Sequence, residues 1–141
     1  MTTPEVIDPT SLPSMELRTT RRVYVASKAK HAPMWQRARI DYDGKLEFVS
    51  TWIDEAGPGE SDLVSLWNRC VFEAGSADFL VAYYEHDEEW KGAFVEIGAA
   101  LAHRRRVLLI GQPPGSWVNH PLIKRFISVY DALDYAEKGP L

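Results

Sequence analysis

From Arg22 onward, short apolar runs alternate with stretches of helical periodicity, and that alternation leaves few folds open. Val23-Tyr24-Val25-Ala26 is apolar and ends at Ser27-Lys28, as a buried strand entering a loop does. Residues 32–39 predict a short helix beginning near Pro33, a residue suited to a first helical turn. Leu46 to Val49 predicts a second strand running into Ser50-Thr51-Trp52. Gly57-Pro58-Gly59 marks a loop, and Ser61 or Asp62 can cap a helix carrying Leu63, Leu66, Trp67, Cys70 and Val71 at three- and four-residue spacing. Phe79 to Tyr84 is the third strand. An acidic loop, Glu85 to Glu89, leads to a helix from Trp90 to His103. Val107 to Ile110 and Phe126 to Val129 supply two more strands, and Asp131 to Lys138 a last helix.

Five strands separated by helices predict a parallel sheet with helices on both faces. Right-handed crossovers make a single-domain, doubly wound, flavodoxin-like five-stranded sheet the simplest α/β topology. The domain is expected over residues 21–141. Residues 1–20, with Pro4, Pro9 and Pro13, are expected to form a flexible N-terminal arm.

Composition narrows the function. At 141 residues the chain can bury a core without staples, and its single Cys70 excludes an internal disulfide framework. A net charge of −4 argues against binding a nucleic acid polymer, which takes a basic surface, but leaves room for a small phosphorylated ligand. His31, His86, His103 and His120 show no metal-ligand spacing, so neither metal nor cofactor is expected. No apolar run reaches the ~20 residues of a membrane span, and the first basic residue is Arg18, unlike a signal peptide. The expected location is cytoplasmic.

In such a sheet ligands bind outside the carboxyl ends of the strands. That points to Ser27-Lys28, Trp52, the Glu85–Glu89 loop and the Gly111–His120 loop. In Gly92-Ala93-Phe94-Val95-Glu96-Ile97-Gly98-Ala99-Ala100-Leu101, Phe94, Ile97, Ala100 and Leu101 make an apolar stripe. Glu96 lies one turn into the helix between Gly92 and Gly98. The helix dipole favours an ionised carboxylate there, and small neighbours let a ligand approach, which suits a nucleophile. A first-turn Glu that merely favours its helix fits the pattern equally well. Ser27, Lys28 and Lys30 could meet a phosphate or simply be solvated. No GxGxxG or GxxxxGK[ST] motif is present, and Arg104-Arg105-Arg106 ends a helix, where positive charge is favoured anyway.

The segment DFLVAYYEHDEEWKGAFVEIGAALAHRRRVLLIG, Asp78 to Gly111, resembles the core of the nucleoside 2-deoxyribosyltransferase family, whose superfamily includes deoxynucleotide N-hydrolases. VYVAS at 23–27 is similar to that family's first strand. The resemblance implies that Glu96 is the nucleophile attacking the anomeric carbon, steered by the hydroxyl of Tyr24, as in retaining glycoside cleavage. It implies an acid for the departing base in the loop, where Asp87, Glu88 and Glu89 are candidates. An ungapped match puts Trp90 at the expected position. The family's further base-contacting Asp has no counterpart in Asn68-Arg69-Cys70, and Asn68 is left as a possible hydrogen-bonding group. GSWVNHPLIKRF, Gly115 to Phe126, also resembles small members of the family: Trp117 and Trp52 could stack on a base, and His120 could bond at the pocket mouth. For Trp117 the alternative is a cover for the sheet edge ahead of a helix started by Pro121.

The function this implies is cleavage or transfer of the N-glycosidic bond of a (deoxy)nucleoside or nucleoside monophosphate, by a homo-oligomer. Two others stand beside it: an NAD-type nucleotide glycohydrolase, and a non-catalytic nucleotide-binding module, which the missing carboxylate around Asn68 favours.

Overall fold

A computed structural model describes residues 20–55 and 62–140. The proposed arm at 1–20 and the Gly57-Pro58-Gly59 loop with Ser61 fall essentially outside them. The elements in chain order are β1 (Arg21–Ala26), α1 (Ala32–Asp41), β2 (Leu46–Phe48), α2 (Leu63–Ser76), β3 (Phe79–Tyr83), α3 (Gly92–Ala102), β4 (Arg106–Ile110), β5 (Ile123–Phe126) and α4 (Val129–Lys138). The strands form one parallel sheet in the order β2-β1-β3-β4-β5, the flavodoxin-like arrangement.

Burial explains which segments became strands. Val23 to Ala26, Phe79 to Ala82 and Val107 to Leu109 are wholly buried, as central strands covered on both faces must be. The Asp78 carboxylate accepts from the Arg22 amide at 2.8 Å and ties β1 to the start of β3. β2 is only three residues long, so near the end of β1 the Ser50 hydroxyl takes over as acceptor for the Val25 amide, at 2.7 Å.

Helices cover both faces. On one side α1 meets α4 through stacked Tyr42 and Tyr130 rings and a Tyr130 hydroxyl donating to Asp41 at 2.6 Å. On the other, α2 and α3 run parallel, with Trp67 against Gly92 at one end and Gly75 against His103 at the other. Asp62 is the cap of α2, its side chain accepting from the Ser65 amide at 3.0 Å.

The structure corrects several boundaries. The fifth strand is Ile123–Phe126, paired Val107↔Ile123 to Ile110↔Phe126, and not Phe126 to Val129. As an edge strand it carries exposed Lys124 and Arg125, so it lacks an apolar run. Ser128 instead caps α4, accepting from the Asp131 amide at 3.1 Å, so that helix starts at Val129. No helix follows Pro121; a 3-10 turn, Ser116–Asn119, and a tight turn lead straight into β5. α3 begins at Gly92 rather than Trp90. Its buried stripe is Ala93, Glu96, Ile97 and Ala100, with Phe94 turned outward. None of the described helices is long and apolar enough to cross a membrane.

Candidate active site

The strand order reverses between β1 and β3, which leaves a crevice beyond the carboxyl ends of these two strands. Such a crevice is where doubly wound sheets bind ligands. A cavity of about 240 Å³ opens at this point. The β1 end contributes Ser27, Lys28 and Ala29, and the turn after β2 contributes Trp52. α2 lends Leu66, Trp67 and Cys70; Trp90, Lys91, Gly92, Ala93 and Glu96 complete the wall from α3 and the chain before it.

Strand alternation turns Tyr24 toward the α2–α3 side, where its hydroxyl donates to Glu96 Oε2 at 2.6 Å. Both side chains are buried. Burial pushes the Glu96 carboxyl up to about 7, against the hydrogen bonds from Tyr24 and Cys70, which favour the ionised form; Glu73 adds a smaller upward push. Burial, and the neighbouring Glu96, hold the Tyr24 phenol far above its ordinary value, so it stays a donor. Burial likewise raises the Cys70 thiol to about 11 and keeps it neutral.

Indole groups brace the rest of the wall. The Trp52 indole donates to the Val25 carbonyl at 2.8 Å, and the Trp35 indole donates to Ser27 Oγ at 2.8 Å. At Gly92 the helix backbone passes close to the Trp67 ring, and a Cβ there would lie 2.7 Å from it. Trp90 is buried with its indole nitrogen unpartnered among the described residues. Phe94 and Trp117 pack around it, with ring centroids 5.6 and 6.3 Å away.

The sequence candidates therefore divide. Glu96, Ser27, Lys28, Trp52 and Gly92 line the cavity, and Tyr24 lies behind Glu96 and donates to it. Asn68 is exposed on the far side of α2, in a groove with Val71 and Phe72. Asp87 and Glu89 are exposed and do not line the cavity, Asp87 lying 3.1 Å from His86. Trp117 backs Trp90 and does not reach the wall, its indole donating to the Pro114 carbonyl. His120 uses Nδ1 to accept from the Leu122 amide at 3.0 Å, in the turn before β5. Cys70, Trp67 and Lys91 are wall residues that the sequence did not single out as parts of the site, and Trp90, at the position the resemblance gives to the acid, is on the wall as well.

Glu88 has a different task. Burial raises its carboxyl, but the Glu85 amide, His31 and Lys30 outweigh that and leave it below its ordinary value. Its Oε2 lies 2.5 Å from His31 Nε2 and 3.5 Å from Lys30 Nζ, and its Oε1 accepts from the Glu85 amide. His31, Glu85 and Glu88 could in principle ligate a metal, their donor atoms lying within 4.8 Å of one another. The contacts already made read instead as a clasp between the segments after β1 and β3.

No family model matches the sequence, and no curated protein matches it. The solved structures that share the fold include two enzymes of nucleoside chemistry. One is a CMP N-glycosidase from Clostridium botulinum, with a TM-score of 0.55 and 14% identity, covering 82% of this chain and 95% of that one. The other is a 2-deoxyribosyltransferase from Bacillus psychrosaccharolyticus, with a TM-score of 0.62 and 17% identity, covering 81% of this chain and 91% of that one. At these identities the likeness establishes the five-stranded α/β fold.

Proposed function

We propose that this chain cleaves or transfers the N-glycosidic bond of a nucleoside or nucleoside monophosphate, with Glu96 as nucleophile. One observation carries the proposal: a buried carboxylate held by a phenol 2.6 Å away, on the wall of a cavity at the sheet's switch point. In this reading the carboxylate attacks the anomeric carbon while the base leaves with the bonding electron pair. Water or a second base then attacks the same carbon and frees Glu96. These two structures carry names of N-glycosidic chemistry, which supports the assignment.

The cavity, at about 240 Å³, is smaller than the ~300–1,000 Å³ of drug-sized sites, so it suits a small ligand with part left outside. Trp52 and Trp67 offer faces for the base, while Ser27, Lys28 and Lys91 offer the mouth a place for a 5′-phosphate. The loop acids Asp87 and Glu89 reach a departing base only if the loop folds over it. Among described residues Glu96 is the one carboxylate on the wall. The protein so conceived is a homo-oligomer working in the cytoplasm on small molecules through one domain, residues 21–141, with no cofactor. The test is a mixed incubation with nucleosides, monophosphates and NAD, read by mass spectrometry. Free or exchanged nucleobase is expected; nicotinamide alone would assign an NAD glycohydrolase, and ligand binding without product a silent module.

The pH dependence follows from the raised carboxyl. The nucleophile is the ionised form, so kcat/KM should climb as pH rises through about 7 and level off above it. Tyr24→Phe removes a hydrogen bond that favours the carboxylate, so the midpoint should move to higher pH and the rate at pH 7 fall. A midpoint that stays put or moves down in that variant would mean the phenol does not steer Glu96.

A further inference from the structure

Burying an N–H without an acceptor destabilises a fold, so buried indoles ordinarily donate to something. Trp35 donates to Ser27 Oγ, Trp52 to the Val25 carbonyl and Trp117 to the Pro114 carbonyl. Trp90 is the exception. It is 5% exposed, and its indole nitrogen is the one buried side-chain nitrogen or oxygen without a partner among the described residues. Tyr84 and Phe94 meet it edge to face at centroid distances of 5.2 and 5.6 Å, and the Trp117 ring lies at 6.3 Å. These are contacts of ring with ring. Packing thus accounts for an aromatic side chain here, which a phenylalanine would also supply, and leaves the N–H unexplained.

Trp90 stands on the cavity wall with Glu96, where the other buried groups are committed. The Cys70 thiol bonds to Glu96, and the Ser27 hydroxyl donates to the Lys28 carbonyl at 2.9 Å. On the reading of Glu96 as nucleophile, we infer that the Trp90 N–H donates a hydrogen bond to the departing base. As Glu96 bonds to the sugar, the glycosidic electron pair passes to the base, and negative charge spreads to its ring nitrogens and carbonyl oxygens. The indole turns its N–H to one of these atoms and keeps its proton, being far too weak an acid to give it up. The base leaves as an anion and takes its proton from water. The hydrogen bond strengthens as the charge grows, so it lowers the barrier more than it tightens binding. The substrate class follows from that charge. Uracil, cytosine, adenine and hypoxanthine leave with it and gain from the donor; nicotinamide leaves a cationic nucleotide as a neutral ring and gains little.

The test is proton–nitrogen NMR on the isotope-labelled full chain, whose five tryptophans give five indole N–H signals. Uracil, cytosine, adenine and hypoxanthine are each added at millimolar concentration. The Trp90 signal is the one missing from Trp90→Phe, and its contacts to the Phe94 and Trp117 rings identify it should that variant misfold. At least one base is expected to move the Trp90 proton downfield by more than any other indole proton. If none does, whether because no base binds or because only other indoles respond, the inference is overturned. In turnover, Trp90→Phe should lower kcat about 100-fold while KM changes less than about threefold. The loss should be smaller when 5-fluorouracil leaves than when uracil, the poorer leaving group, does. An equal loss for both, or a change in KM alone, would also overturn it. Glu96→Gln should show the same Trp90 shift without releasing base, so the indole signal and base release report on separate claims.

Discussion

Glu96→Gln is expected to lower base release by at least ~10³-fold, about 4 kcal/mol of barrier, while the chain folds as before. The amide keeps the shape and can still accept from Tyr24, but it cannot form the glycosyl ester. The same change should stabilise the protein at alkaline pH. The folded-state pKa of Glu96 lies near 7 and the ordinary value is 4.5, so the native chain binds the extra proton. Stability from this group is fully present below pH 4.5 and is lost as pH rises through about 7. At pH 8 the buried carboxylate costs on the order of 3 kcal/mol, which the amide avoids. Thermal or urea unfolding of both proteins at pH 5 and pH 8 measures it. The variant should gain stability mainly at pH 8; an equal gain at both, or none, would contradict the assigned cause.

Gly111→Ala is expected to cost about 3 kcal/mol or more, or roughly 10 °C in Tm for a domain of this size. Gly111 ends β4 at φ +100°, a backbone region that alanine rarely adopts, and a Cβ there would sit 2.1 Å from the Tyr84 carbonyl oxygen. That oxygen is backbone on the neighbouring strand's exit, fixed by the Tyr84 amide donating to Ile110, so it cannot step aside. Gly44→Ala isolates the conformational part: φ there is +79°, with open space where the Cβ would go, and about 1 kcal/mol is expected. Calorimetry comparing the two should show Gly111→Ala several times the costlier. Equal costs would remove the steric argument.

The parts of the fold that the sequence displayed are those where burial dictates composition. β1, β3 and β4 are covered on both faces, so their apolar runs announce them. β5 escaped because an edge strand needs only alternate apolar residues, and Lys124 and Arg125 break the run. The site divides along the same line. Tyr24 and Glu96 were legible because a phenol and a carboxylate stood in a recognisable pattern, and the structure joins them. Asn68 was assigned to the pocket, yet two residues along a helix is a rotation of about 200°, so Cys70 at the wall forces Asn68 to the opposite side. The available signal for Cys70 was its spacing from Leu66 and Ala74, which share the sheet-facing stripe. Trp67 read as part of an apolar helical repeat and Trp90 as the start of a helix, because an indole serves equally as packing or as a stacking wall, and sequence carries no record of which side faces a void.

The central claim is that Glu96 bonds covalently to the sugar, and the stereochemistry of the product tests it most directly. Incubation with a nucleotide that yields free base, in water containing methanol, diverts the sugar into a stable methyl glycoside whose configuration proton NMR reads. Two successive displacements return the anomeric carbon to its starting configuration, so the β-glycoside is expected. The α-glycoside would mean that solvent attacked the nucleotide in a single step, and Glu96 could not then be the nucleophile.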